Sequence, residues 1–176
     1  MSRPQIKKAR DRARQVIVEY RIVQPAIPVE DIASTLGLKV TYSQMDDEIS
    51  GMIYPKDGKT IVGINSRNSR NRQRFTLAHE CGHFLLHREK IIGSIHVDKK
   101  YPGLLRSDIS LQGVDPIEIE ANQFAAELLV PESMLIHELN HGVIDIEDDE
   151  FIDRLAKRFK VSKQMMSNCL SNLRTH

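Results

Sequence analysis

Hydrophobic residues recur along the chain at spacings that predict helices first and strands next. Over residues 6–23, apolar side chains stand at helical spacing with basic residues between them, which predicts an N-terminal helix. A second helix is predicted from Pro28 to Leu36, because proline suits the first helical turn and Gly37 suits the position after the last. Apolar and polar residues then alternate over residues 38–42, as in a half-buried strand.

A β-hairpin is predicted next, over residues 51–65. Two strand-like runs flank the dipeptide Asp57-Gly58, and an aspartate followed by glycine favours the tight turn of a hairpin. An arginine-rich connector, residues 66–74, separates the hairpin from the following apolar stretch. Its four arginines are not interleaved with aromatic residues, so we interpret them as solvated charges in preference to a nucleic-acid patch.

Helical signals return in the second half of the chain. A helix is predicted between Asp115, which suits its N-cap, and Pro131, which ends it, with Pro116 in the first turn. Residues 148–173 predict two short amphipathic helices in a C-terminal tail. Between these parts, over residues 88–114, the periodicity fades, which predicts a long loop of the kind that often carries function.

Composition and charge narrow the class of protein. The chain has 176 residues, 40% of them hydrophobic, which suffices for one globular domain with a core. A net charge of +1 favours neither a general nucleic-acid binder nor an acidic disordered chain, and two distant cysteines make no disulfide framework. The basic start lacks an apolar signal segment, and no apolar run approaches the roughly 18 residues of a membrane span. We therefore expect a cytoplasmic protein.

One short segment, residues 74–87, concentrates the candidate chemistry. It reads RFTLAHECGHFLLH and holds three histidines and a glutamate among apolar residues. His79 and His83 are four positions apart, so on a helix they share one face, where two imidazoles can bind one ion at about 2.0–2.1 Å. Glu80 is turned about a quarter of a circle away, so it can act on a water molecule without occupying a ligand position. The pattern is H-E-x-x-H, a zinc-protease signature.

A glycine inside this predicted helix is a further signal. Gly82 costs about 1 kcal/mol relative to alanine in a helix interior. We interpret its presence as an indication that another backbone, or a substrate, approaches the helix closely at this position.

A zinc hydrolase site needs a third protein ligand and one open position. Glu118 and Asn122 share a face of the helix that is predicted to follow Asp115. If Glu118 is the third ligand, Asn122 can therefore support it from outside the ligand set. Glu118 also suits the third position of a capping box, which is the structural alternative. His87 is interpreted as a polar helix end, because eight residues from His79 span about 12 Å. The candidates for the third ligand are His87, His96, Asp98, Asp108, Glu118 and Glu120.

The two segments together resemble a known family. RQRFTLAHECGHFLLH, followed by EIEANQFAAELLVP, is similar to the ImmA/IrrE metallopeptidases, and the likeness runs from about Gly51 to Pro131. The resemblance implies an α+β fold with a zincin-like core, in which a small β-sheet packs on the HExxH helix and on a second, ligand-bearing helix. We accordingly predict an N-terminal helical segment at residues 1–44, a metallopeptidase core at residues 45–131, and a C-terminal helical tail at residues 132–176 that packs on the core.

The resemblance also implies roles for individual residues. In that family, the two histidines of HExxH and a glutamate of an E-x-x-A-N pattern bind zinc. These correspond to His79, His83 and Glu118 here, with Glu80 as the catalytic base. Glu120 remains an alternative ligand in a shifted register.

The expected activity is hydrolysis of a peptide bond by a zinc-dependent endopeptidase. Zinc would polarise the scissile carbonyl, and Glu80 would pass a proton from water to the leaving amine. Tyr54, Asn122 and His96 remain open as the group that stabilises the oxyanion.

The resemblance implies that the substrate is a regulatory protein, namely a helix-turn-helix transcriptional repressor. Direct binding of nucleic acid and of membranes is not expected. Two alternatives remain: a DNA-binding regulator that uses the helix-turn-helix-like tail beside a structural or sensory metal site, and a non-catalytic zinc module. We also expect the segment from residue 88 to 114 to cover the metal and make access conditional.

Overall fold

The computed structural model describes residues 3–91, 95–99, 115–140 and 148–173, and these residues form an α+β fold. The fold class predicted from the sequence is confirmed. The described helices are α1 (Ile6–Glu19), α2 (Val29–Thr35), α3 (Arg70–Leu86), α4 (Arg88–Ile91), α5 (Pro116–Leu129), α6 (Glu132–Leu139), α7 (Asp149–Phe159) and α8 (Lys163–Leu173). The strands are β1 (Leu38–Ser43), β2 (Ile49–Lys56), β3 (Lys59–Asn65) and β4 (His96–Lys99).

The four strands form one mixed sheet in the order β1-β3-β2-β4. Strand β1, from the predicted N-terminal segment, runs parallel to β3, whereas β2 is antiparallel to both β3 and β4. The predicted hairpin is confirmed, and its turn residues Asp57 and Gly58 both have positive φ angles, of 50° and 72°. This backbone conformation matches the right-handed twist of the flanking strands, which explains the aspartate-glycine pair.

The helix that carries the H-E-x-x-H motif begins earlier than the sequence indicates. Ser69 is its N-cap, and the Ser69 side chain accepts a hydrogen bond from the backbone nitrogen of Arg72 at 3.4 Å. The prediction of a connector up to residue 74 is therefore wrong from Arg70 onward. The first turn is helical because arginine is a good helix former and serine a good cap.

The predicted loop over residues 88–114 contains regular structure that the sequence did not indicate. A single helical turn, α4, follows α3 directly, and β4 adds to the sheet beside β2. Residues 92–94 and 100–114 lie outside the described residues, and the expectation that this segment covers the metal falls largely on them. A strand of four residues is too short for its alternation to stand out from chance.

Helix α3 lies between the sheet and α5, and its interior glycine marks the contact with α5. A Cβ added to Gly82 would lie 3.2 Å from both the Cα and the carbonyl oxygen of Ala121. The close backbone approach that the sequence indicated at Gly82 is therefore present. On the opposite side, α3 packs on β2, where a Cβ added to Gly51 would lie 2.5 Å from Thr76 Cγ2.

The C-terminal helices share the same hydrophobic core. Phe159 and Met166 are fully buried in one cluster with Leu77 of α3. The side-chain amide of Asn71 donates to the carbonyl oxygen of Val161 at 2.8 Å, so the turn between α7 and α8 is bonded to α3. Among the described residues, none of the helices combines the length and the apolar character that a membrane span requires.

We expect Gly51→Ala to lower the free energy of unfolding by about 1–3 kcal/mol, because the new Cβ would also lie 2.9 Å from the carbonyl oxygen of Gly63 and must displace its neighbours. Urea unfolding measures the change. Gly82→Ala is the comparison, and its loss should be smaller, since its nearest contact is 3.0 Å and alanine gains about 1 kcal/mol in helix propensity. Wild-type stability in Gly51→Ala would show that the contact between α3 and β2 has room for a methyl group.

Candidate metal centre

The two motif histidines converge on one point at the buried face of α3. His79 and His83 are 1% and 0% exposed, and their Nε2 atoms lie 2.9 Å apart. The arrangement follows from the helix itself, since residues four apart stand one above the other. Apolar neighbours such as Leu77 and Cys81 hold this part of the helix in the core.

Helix α5 brings a carboxylate to the same point. The Oε2 atom of Glu118 lies 3.3 Å from His79 Nε2, and its Oε1 atom lies 3.2 Å from His83 Nε2. The potential ligand atoms of these three residues, which we call the triad, all lie within 4.8 Å of one another. The three side chains predicted as ligands are thus brought together in the fold.

The triad suits a divalent cation by the chemistry of its donors. Two imidazole nitrogens and one carboxylate are a donor set found in catalytic zinc sites. Buried polar groups normally have partners, yet His83 Nδ1 and both carboxylate oxygens of Glu80 have no hydrogen-bond partner among the described residues. A positive charge at the triad would compensate the buried carboxylates, so the residues present fit a metal ion.

Asn122 supports the triad from behind His79. Its Oδ1 atom lies 3.0 Å from His79 Nδ1. An amide oxygen can only accept, so this contact places the imidazole proton on Nδ1 and directs the Nε2 lone pair toward Glu118. Such an outer hydrogen bond orients a ligating histidine. Asn122 therefore has the geometry of the bracing partner predicted for it.

The two carboxylates of the centre have opposite electrostatic environments. Burial raises the pKa of Glu80 to about 8, although the neighbouring His79 acts to lower it. Burial also acts to raise the pKa of Glu118, but the close approach of the imidazole nitrogens of His79, His83 and His96 outweighs it and holds that pKa well below its usual range. One carboxylate can therefore take up a proton near neutral pH while the other stays ionised, which is the separation that acid-base chemistry needs.

Strand β4 adds two further polar side chains to the centre. His96 and Asp98 are two positions apart, so they point to the same face of the strand. The Nε2 atom of His96 lies 2.9 Å from Glu118 Oε1. Asp98 is 5% exposed and has an oxygen within 4.8 Å of potential ligand atoms of both His79 and Glu80. The sequence indicated both residues as possible third ligands and His96 also as a possible oxyanion donor, but it did not place them on a strand.

The other ligand candidates lie apart from the triad. Glu120 accepts a hydrogen bond from the backbone nitrogen of Gln5 at 2.9 Å, and its Oε2 atom lies 3.4 Å from His87 Nε2. Glu120 therefore faces His87 and also binds the N-terminal segment. Asp108 lies outside the described residues. The Asp115 side chain caps α5 by accepting from the backbone nitrogen of Ile117.

The sequence matches a known family along most of its length. The family is described as Peptidase_M78, IrrE N-terminal-like domain, and the match spans residues 33–171. That span includes the triad and β4. A protein of Bacillus phage phi105, named "Uncharacterized immunity region protein 2", is 31% identical over 120 residues, which cover 68% of this chain and 66% of that protein.

A solved structure has the same fold. It is named "Mycobacterium tuberculosis transcriptional regulator", and it matches with a TM-score of 0.61 over 93% of this chain. The sequence identity is 18%, so the likeness concerns the fold. The match covers 47% of that protein, and this chain thus spans about half of its length.

We expect Glu118→Ala to weaken zinc binding strongly, because it removes a carboxylate that faces both imidazoles. Glu120→Ala is the matched control on the same helix and should keep wild-type zinc affinity. Titration against a chromophoric zinc chelator measures both. If Glu118 serves only as a helix cap, its variant should instead lose about 1 kcal/mol of stability with zinc affinity retained. Equal zinc affinities in the two variants would place the third ligand elsewhere.

Proposed function

Because the chain belongs to the Peptidase_M78 family of IrrE N-terminal-like domains, we propose that it is a zinc-dependent endopeptidase that cleaves a helix-turn-helix repressor. The family indicates a metallopeptidase in general terms, and the specific site, metal and substrate are our proposal. The observation that supports it most directly is the buried triad of His79, His83 and Glu118, with the unpaired carboxylate of Glu80 beside it.

In this proposal the triad holds the metal ion. His79 and His83 supply neutral nitrogens and Glu118 supplies the negative charge, while Asn122 keeps the His79 ring in its orientation. A bound zinc ion would act as a Lewis acid that polarises the scissile carbonyl and lowers the pKa of water. The preference for zinc rests on the donor set, since two imidazoles and one carboxylate suit zinc better than calcium or magnesium.

Glu80 is the proposed general base. It neighbours His79 on α3 but has no hydrogen-bond partner among the described residues, so its oxygens remain available to a water molecule. As the water oxygen bonds to the carbonyl carbon, Glu80 accepts a proton from it. Glu80 then donates this proton to the amide nitrogen while the carbon–nitrogen bond breaks, which leaves a carboxylic acid and an amine. Burial raises the pKa of Glu80, and a cation bound at the triad would act to lower it, which would leave Glu80 ionised and able to accept a proton near neutral pH.

The proposed substrate class rests on relatives of the chain. The phage phi105 protein carries "immunity region" in its name, which points to regulation of a mobile element. The aligned part spans 66% of the phage protein. A regulatory role like the one its name suggests is therefore extended to this chain only as a proposal. A repressor substrate is consistent with a protease that acts selectively on one folded partner.

Glu80→Gln should retain zinc but lose hydrolysis, because glutamine has nearly the same shape and cannot accept the proton from water. Zinc content by metal analysis and cleavage measured on gels provide the two readouts. The loss of rate should be at least about 10²-fold, which is the lower end for removing a general base. Cleavage by Glu80→Gln at the wild-type rate would exclude Glu80 as the base.

The zinc-loaded protein should cleave a helix-turn-helix repressor encoded beside its gene and should leave casein largely intact. The reason is that a selective protease requires docking of a folded partner before the peptide bond reaches the centre. Mass spectrometry of the products identifies the cleaved bond, and Glu80→Gln serves as the blank. Rapid digestion of casein with the repressor intact would exclude the regulatory function and indicate a general peptidase.

A further inference from the structure

His96 of strand β4 reaches the metal centre from the sheet. Its Nε2 atom lies 2.9 Å from Glu118 Oε1, and its ring centroid lies 4.3 Å from that of His83. The strand holds this position because His96 pairs with Ile53 of β2, whose side chain is 1% exposed. Directly opposed residues of antiparallel strands point to the same face, so His96 lies on the face that packs against α3.

We propose that His96 donates a hydrogen bond to the carbonyl oxygen of the scissile peptide and stabilises the negative charge that develops there. This inference rests on the proposed function and assigns the one role in hydrolysis that the triad and Glu80 leave open. The charge on that oxygen grows only as the peptide bond is attacked, so a donor fixed in advance lowers the barrier.

The Nε2 atom of His96 is the one that faces the centre. It lies 2.9 Å from Glu118 Oε1 but has no hydrogen-bond partner among the described residues, so an N–H at this atom is available to a substrate. The donor therefore already points to the place where the ligands converge. Both the neutral ring with its proton on Nε2 and the protonated ring present this N–H, so the proposed role does not depend on the charge of His96.

His96 is the most exposed of the four side chains that meet at the centre. Its side chain is 21% exposed, compared with 1% for His79, 0% for His83 and 12% for Glu118. The two histidines of α3 are thus sealed in the core, whereas His96 and Glu118 form the accessible edge of the centre. The Nε2 atom of His96 is itself buried, so a substrate that approaches from solvent meets the edge of the ring first and must enter the centre to reach the donor.

The other candidates for this role point elsewhere. Asn122 bonds to Nδ1 of His79, so it lies on the far side of that ring from the Nε2 atom that faces Glu118. Tyr54 is adjacent to Ile53 on β2 and therefore points to the opposite face of the sheet from His96. Of the three groups that the sequence left open, His96 alone faces the ligands.

Strand β4 is anchored beside His96. Asp98 is buried on the same face, and its Oδ2 atom lies 3.9 Å from Nη2 of Arg72 on α3. Arg72 in turn donates to the side-chain oxygen of Ser50 on β2, at 2.7 Å from Nη2 and 3.2 Å from Nε. These contacts join α3, β2 and β4, so they fix the position from which His96 reaches the centre.

The test compares His96→Leu and His96→Gln in the full chain, with His87→Gln as the matched control. His87 is a buried histidine that faces Glu120 outside the triad. The measurements are zinc affinity, the visible spectrum of the cobalt(II)-substituted protein, and kcat and KM for the repressor. His96→Leu should lower kcat by about 10²–10³-fold with little change in KM, as loss of one oxyanion donor does. His96→Gln, which keeps an N–H donor, should recover part of that loss, and His87→Gln should retain the wild-type kcat.

Zinc affinity and the cobalt spectrum should stay unchanged in His96→Leu, because the donor acts on the substrate and not on the ion. A weakened affinity or an altered spectrum would show that His96 is a ligand, and a kcat equal to that of wild type would show that it donates nothing. Either result overturns this inference while the proposed function stands. A wild-type protein no more active than Glu80→Gln would instead refute the proposed function, and this inference with it.

Discussion

The close contact between α3 and α5 is the constraint on which the centre depends. Gly82 faces Ala121, and even a single added carbon at Gly82 would lie 3.2 Å from the Ala121 backbone. Because both residues are so small, the carboxylate of Glu118, nearly one turn before Ala121 on α5, reaches the Nε2 atoms of both motif histidines. A larger residue at this contact would push α3 and α5 apart and so separate the ligands, although no ligand would itself be changed. The geometry of the centre therefore depends on the close packing of these two helices.

The centre places several polar groups where a protein of this size would otherwise bury apolar ones. Glu80 is fully buried without a hydrogen-bond partner among the described residues, and burying such a group costs free energy. The surrounding core of helices and sheet must compensate for that cost. A cation at the triad would reduce this free-energy cost. Its positive charge would balance the negative charge of Glu118 and would also stabilise the nearby carboxylate of Glu80. Metal binding and stability are therefore coupled through the same residues.

Local sequence was sufficient wherever a structural feature depends on near neighbours. The shared face of His79 and His83 is a property of any helix, so their spacing predicted it without knowledge of the fold. The turn at Asp57 and Gly58 likewise requires only two residues with positive φ angles, and the hairpin is present. The glycine at position 82 indicated a close backbone approach, although nothing in the sequence identified the backbone that approaches.

Tertiary structure alone decided the features that depend on distant partners. Glu118 and Glu120 are two residues apart and equally suited to bind metal, but Glu118 faces the histidines while Glu120 accepts from the backbone of Gln5. That difference is set by how α1 and α3 pack on α5. Strand β4, which carries His96, is only four residues long and exists through its pairing with β2. The sequence by itself therefore determined the motif and the helix that carries it. The fold decided which residues meet that motif, because such contacts depend on the relative placement of elements far apart in the chain.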